Sequence, residues 1–124
     1  MAQAQLTVKV LAHYLPEQSN PEQDEYLFAY DVTIFNSGQV AAQLISRSWI
    51  ITDGRQQVKE VHGPGVVGVQ PLIQPGETFT YSSFCPLPTP VGSMRGAYQC
   101  VTQDGTEFEA PIAEFVLAAP HVLH

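Results

Sequence analysis

The chain has 124 residues, 44% of them hydrophobic, and a formal charge of −7 from twelve acidic against five basic residues. The five cations, Lys9, Arg47, Arg55, Lys59 and Arg95, are scattered, whereas binding to nucleic acid or to an anionic membrane surface needs clustered Lys and Arg. The length fits one domain spanning residues 1–124, and no apolar run approaches the ~20 residues of a membrane span.

Met1-Ala2-Gln3-Ala4-Gln5 lacks the basic region and apolar core of a signal peptide, so a cytoplasmic location is expected. Nearly every segment then alternates with period two, the signature of half-buried strands. Leu6, Val8, Val10, Ala12 and Tyr14 form one face of a first strand. After a polar link from Pro16 to Asp24, Tyr26, Phe28, Tyr30, Val32 and Ile34 form one face of a second. A third runs from about Gln43 to Asp53, with Ile45, Trp49 and Ile51 on one side, and an Asp53-Gly54 turn returns it into a short strand, Val58 to Val61. Gln74-Pro75-Gly76-Glu77 has proline and glycine in the central positions of a turn, and Thr78 to Phe84 supply β-branched and aromatic residues for a fifth strand. Three of the six residues Cys85-Pro86-Leu87-Pro88-Thr89-Pro90 lack an N–H, which predicts a rigid crossing loop rather than a central strand.

Met94, Gly96, Tyr98, Cys100 and Thr102 define a sixth strand, and Gln103-Asp104-Gly105-Thr106 turns it into a seventh. That last strand changes parity: Phe108, Ala110 and Ile112 share one face, Phe115 and Leu117 the other. Both sets face the core only if a bulge or bend intervenes, and Pro111 is the expected cause. Seven short strands separated by turn signals predict an all-β, seven-stranded antiparallel β-sandwich of the immunoglobulin/fibronectin type III kind. Tyr98-Gln99-Cys100 matches the spacing of a tyrosine corner, but no cysteine precedes Cys85 to supply the immunoglobulin disulfide, so the disulfide-free fibronectin type III-like form remains. Cys85 and Cys100 sit in no CxxC and beside no histidine, and are read as reduced thiols with Cys100 in the core.

Between the fourth and fifth strands lies His62-Gly63-Pro64-Gly65-Val66-Val67-Gly68, which spells GxGxxG. In a dinucleotide fold those glycines open a helix whose N-terminus receives the pyrophosphate. Here Val69-Gln70-Pro71-Leu72-Ile73-Gln74-Pro75 follows, and its two prolines prevent a helix from starting. Two readings of the loop remain: glycines that permit positive φ and close packing beneath Val66 and Val67, or an anion-binding concavity of the N–H groups of Gly63, Gly65 and Gly68 with charge from Arg47 or His62. Arg47 alternates with Ile45, Trp49 and Ile51, so a guanidinium on an apolar face must reach the rim, pair with Glu60, or mark a site together with Trp49.

The histidines His13, His62, His121 and His124 and the scattered carboxylates show no ligand density of a hard-cation loop, so neither a metal nor a cofactor is expected. Ser82-Ser83-Phe84-Cys85 lacks a local base, and no catalytic residue is assigned.

Ser46-Arg47-Ser48-Trp49-Ile50-Ile51-Thr52-Asp53, the glycine run at 62–68, Gln74-Pro75-Gly76-Glu77, and Cys85 through Tyr98 together resemble the bacterial ApaG family in one register across essentially the whole chain. The resemblance implies a fibronectin type III-like fold, an association with cobalt resistance and magnesium efflux, and a gene neighbourhood shared with a diadenosine tetraphosphate hydrolase. Related domains stand at the end of an F-box adaptor and of a polymerase-interacting mitochondrial protein, where they look like protein-binding modules. The family brings no catalytic residues. The expectation is a non-catalytic interaction module with an unidentified protein partner, its loop His62, Gly63, Gly65 and Gly68 with Arg47 and Trp49 forming the contact or anion-binding site. The alternatives are a phosphate-containing small molecule, pyrophosphate or a dinucleoside polyphosphate, on that loop, and direct binding of a divalent metal.

Overall fold

The computed structural model describes residues 3–120, so the terminal pair His121 and His124 lies outside the described residues. Eight strands follow in chain order: β1 (Leu6–Tyr14), β2 (Tyr26–Asn36), β3 (Ala42–Asp53), β4 (Val58–Pro64), β5 (Leu72–Ile73), β6 (Thr78–Leu87), β7 (Val91–Thr102) and β8 (Glu107–Ala118). They form two antiparallel sheets, β1-β2-β6 and β4-β3-β7-β8, with β5 pairing β3 through Ala42 and Gln43. The seven expected strands are present, and the two-residue β5 is an eighth. The sheets pack as a sandwich around Phe28, Val32, Ile34, Leu44, Trp49, Met94, Tyr98 and Leu117, all buried. Each such side chain contributes about 1.5–3 kcal/mol by leaving water.

Two bulges set which residues fill that core. In β8, Ile112 pairs with Gly96 and Phe115 with Met94, leaving two residues opposite Arg95 alone. This break carries both Ile112 and Leu117 inward, as the parity change required, but it falls at Ala113 and Glu114; Pro111 itself still pairs with Ala97. In β3, Leu44 pairs with Cys100 and Ser46 with Gln99, so Ile45 is the extra residue. The bulge switches parity there: Ala42 and Leu44 are inward before it, Trp49 after it. Ile45 therefore does not share the face of Trp49 and Ile51, contrary to the simple alternation.

The proline-rich segment is also partly strand. β6 continues through Cys85 and Pro86 to Leu87, pairing Leu27 with Pro86, because it is the edge of its sheet and an edge strand tolerates a missing N–H. Only residues 88–90 cross between sheets. Thr89 holds the crossing: its hydroxyl accepts from the Gly54 N–H at 2.8 Å and donates to the Val91 carbonyl at 2.8 Å. The Asp53 carboxylate accepts from the N–H groups of Arg55 and Gln57, at 2.8 and 3.0 Å, closing the β3–β4 hairpin at the same end. At the opposite end the buried Asn36 amide donates to the carbonyls of Val40 and Ile73, both at 2.9 Å, and accepts from Gly38 N–H, fixing the β2–β3 loop against β5.

Candidate functional site

The glycine run leaves β4 and folds into a miniature hairpin. Val66 N–H donates to the Val69 carbonyl at 2.8 Å and Val69 N–H to the Val66 carbonyl at 3.0 Å. The two residues between them both have positive φ, 42° at Val67 and 84° at Gly68, the signature of a type I′ turn. Val66 is fully buried and anchors this turn to the core. Gly65, at φ 57°, gives its N–H to the Ile45 carbonyl at 2.7 Å, and a Cβ there would clash with the Val69 carbonyl oxygen. Gly68 is needed for its φ alone, since a Cβ there would meet nothing within 4 Å. Two of the three glycines are thus fully accounted for by the turn.

Arg47 packs against the third. Its guanidinium lies across Gly63, where a Cβ would stand 3.0 Å from both terminal nitrogens, and Nη1 donates to the carbonyls of Pro64 at 3.0 Å and Gly65 at 2.9 Å. The arginine therefore clasps the loop by its backbone oxygens. It does not pair with Glu60, because the pleat puts the two on opposite faces of the sheet. Inward, its charge offsets a small part of the rise that burial imposes on the hydroxyls of Tyr30, Tyr81 and Tyr98. Tyr81 and Tyr98 hydrogen-bond to each other in the core, and burial pushes Tyr81 up to about 12. Tyr98 thus meets a side chain of the opposite sheet rather than the upstream backbone that a tyrosine corner would engage. Trp49 packs edge-on against Tyr30, Tyr98 and Phe115, with centroids 5.6, 6.5 and 5.9 Å away, and its buried indole N–H has no hydrogen-bond partner.

His62 faces the other way. On the outer surface of the larger sheet its Nδ1 is 3.1 Å from Ser48 Oγ and its Nε2 is 3.6 Å from the Glu60 carboxylate. The polar chain continues from Ser48 to Gln99 Oε1 at 3.4 Å, and from Gln99 Nε2 to Glu109 at 3.0 Å. This is a Ser–His–Glu sequence assembled in space. A nucleophile there would also need donors aimed at a developing oxyanion. Backbone N–H groups of a sheet lie in the plane of the ladder, so this face offers only side chains.

Of the six residues singled out in the sequence, the fold thus gathers Arg47, Gly63 and Gly65. It sends Trp49 into the core, Gly68 to the turn tip and His62 to the outer face. Among the described residues no group of three His, Cys, Asp or Glu side chains could hold a metal ion. Cys85 and Cys100 are both free and buried, with burial pushing the thiols up to about 11 and about 12. No described helix is long and apolar enough to cross a membrane.

Single-residue reasoning missed the apolar ridge beside the glycines. Val67 is 58% exposed, Val69 47% and Leu72 57%. The signal was present: residues 63–76 contain no charged side chain, in a chain carrying seventeen. Leu72 also lines a groove of about 470 Å³ with Gln74, Gln43 and Gln103, and this groove shares Ala41, Thr102 and Gln103 with a cavity of about 510 Å³ lined by Phe108.

Comparison with known proteins matches this architecture to one family. The ApaG domain description fits residues 16–102. Protein ApaG of Bordetella pertussis is 62% identical over 119 residues, 96% of this chain and 91% of that protein. Protein ApaG of Ralstonia nicotianae is 58% identical over the full length of both chains. The crystal structure of the putative ApaA protein from Bordetella pertussis superposes with a TM-score of 0.92 at 61% identity, covering 95% of this chain and 96% of that one. The family description spans most of the chain and these relatives match nearly all of it, so the chain belongs to the ApaG family.

Proposed function

We propose that the chain is a non-catalytic, cytoplasmic interaction module that binds a protein partner through the ridge Val67, Val69 and Leu72, within the cobalt-resistance and magnesium-efflux context that the ApaG resemblance implies. One observation carries this reading. A β-branched valine occupies the left-handed first position of a type I′ turn, where asparagine, aspartate or glycine is favoured, and it points its side chain to solvent. Neither turn geometry nor core packing asks for valine there, whereas an apolar contact with a partner does. The fold holds the ridge rigidly from behind, through buried Val66 and the Arg47 clasp, so little entropy remains to be lost on binding.

The test is affinity capture from cell extract with the wild-type chain and with Val67→Asn, which places the preferred Asn-Gly pair in the turn. The reading expects a protein recovered reproducibly by the wild type and depleted with the folded variant. Equal recovery by both would overturn it.

A further inference from the structure

We propose that the cavity above Phe108 receives an extended segment of the protein partner, one that places an apolar side chain in the cavity and a lysine or arginine next to it. The proposal rests on the reading of the chain as an interaction module and names the partner chemistry of the cavity whose adjoining groove is lined by Leu72 of the ridge.

The cavity lies at one end of the sandwich, between the N-terminal segment, the β2–β3 loop and the β7–β8 turn. Its volume of about 510 Å³ falls within the range of ordinary ligand sites. Ala4, Val40, Ala41 and Phe108 give it apolar walls and floor. These walls are held in place. Gln39 N–H donates to the Gln3 carbonyl at 2.7 Å, Ser37 N–H to the Gln5 carbonyl at 2.8 Å, and the Asn36 amide fixes Val40.

Charge selects the neighbour of the apolar anchor. Asp104 is the only charged residue in the lining. The Thr102 hydroxyl donates to its carboxylate, as does the Thr106 N–H at 3.1 Å, and these bonds hold the carboxyl below its ordinary range. The acid is therefore ionised and fixed at the rim, in a chain of net charge −7 that already attracts cations. Chain direction comes from the groove. Ala41, Thr102 and Gln103 line both the cavity and the groove that reaches Leu72, and the amides of Gln3, Gln74 and Gln103 border this path. Neutral amides offer both a donor and an acceptor, the complement of a peptide backbone.

The experiment titrates the isotopically labelled full chain with acetyl-Gly-Phe-Lys-Gly-amide and follows backbone amide shifts. Two control peptides carry Gln or Glu in place of Lys. Saturable shifts at Ala41, Gln103, Thr106 and Phe108 are expected, with the Gln peptide about two- to five-fold weaker than the Lys peptide and the Glu peptide weaker again. Asp104→Asn should bring the Lys and Gln peptides level. No shift at roughly 10 mM peptide overturns the proposal, as do shifts confined to other surfaces or equal affinity for the Lys and Glu peptides. Shifts at the same amides produced by raising the protein concentration without peptide would assign the cavity to a second copy and also overturn it. Failure here together with Val67-dependent capture would remove the cavity proposal and leave the module reading standing. Loss of Val67-dependent capture with peptide binding intact would do the reverse.

Discussion

Replacing Val67 by asparagine should make the protein more stable, although it exchanges a hydrophobic residue for a polar one. Val67 has φ 42° in a turn whose other central residue is already glycine. An L-residue in the left-handed region costs about 1–2 kcal/mol, and asparagine is several-fold enriched there because its short polar side chain hydrogen-bonds locally. Against this stands the contact that valine makes. Complete burial of a valine contributes about 1.5 kcal/mol at the low end. With 58% of the residue exposed, the contact at stake is about 0.6 kcal/mol. The balance favours Val67→Asn by about 0.5–1 kcal/mol, or a rise of about 2–4 °C in Tm. Trp49, the one tryptophan and 2% exposed, reports unfolding by its fluorescence in a urea titration. The midpoint should move up by about 0.3–0.5 M with the slope unchanged. A lower midpoint would show that the fold itself needs the valine, and the argument for an outward role of the ridge would fail.

The neighbouring glycines should respond unequally. Gly65→Ala meets the Val69 carbonyl as well as an unfavourable φ, and should lose about 3 kcal/mol, whereas Gly68→Ala faces open space and should lose about 1 kcal/mol; thermal melts of the two variants decide the ranking. Tyr81→Phe and Tyr98→Phe each strand a buried hydroxyl, and each should cost about 1–3 kcal/mol, while the double variant should cost less than the sum, as a double-mutant cycle in urea would show. Alkaline pH should unfold the chain. The folded-state values of Cys85, Cys100 and Tyr81 lie above their unfolded ones, so their stabilisation is complete below about pH 9 and is lost as pH rises through 9–12, at up to about 1.4 kcal/mol per group per pH unit. Stability measured by urea titration at pH 9, 10 and 11 should fall progressively; a rise would contradict the burial of these groups.

The strands and their faces were legible because period-two alternation is a local property that burial enforces. The parity change from Ile112 to Phe115 even announced its bulge, since both residues are too apolar to leave in water. The Ile45 bulge gave no such signal: Leu44 and Ile45 are equally apolar neighbours, and only pairing with Cys100 and Gln99 decides which turns inward. Pro86 misled because a proline marks an absent N–H without saying whether a partner strand lies on that side. The same limit applies to the loop. The prolines at 71 and 75 were enough to reject a dinucleotide site. That Arg47 would clasp loop carbonyls depends on a pleat that sends Glu60 to the opposite face. Ser48, His62 and Glu60 likewise meet only through β3–β4 pairing.

The ridge is the centre of this account, and a photoreactive phenylalanine analogue placed at single positions tests it most directly. Placed at Val67 in cells and irradiated, it should give one specific protein adduct. The control is Leu11, which is 69% exposed on the smaller sheet, and the analogue there should give none. Adducts of equal yield at both positions, or an adduct at Leu11 alone, would contradict the assignment of the binding surface to the glycine turn.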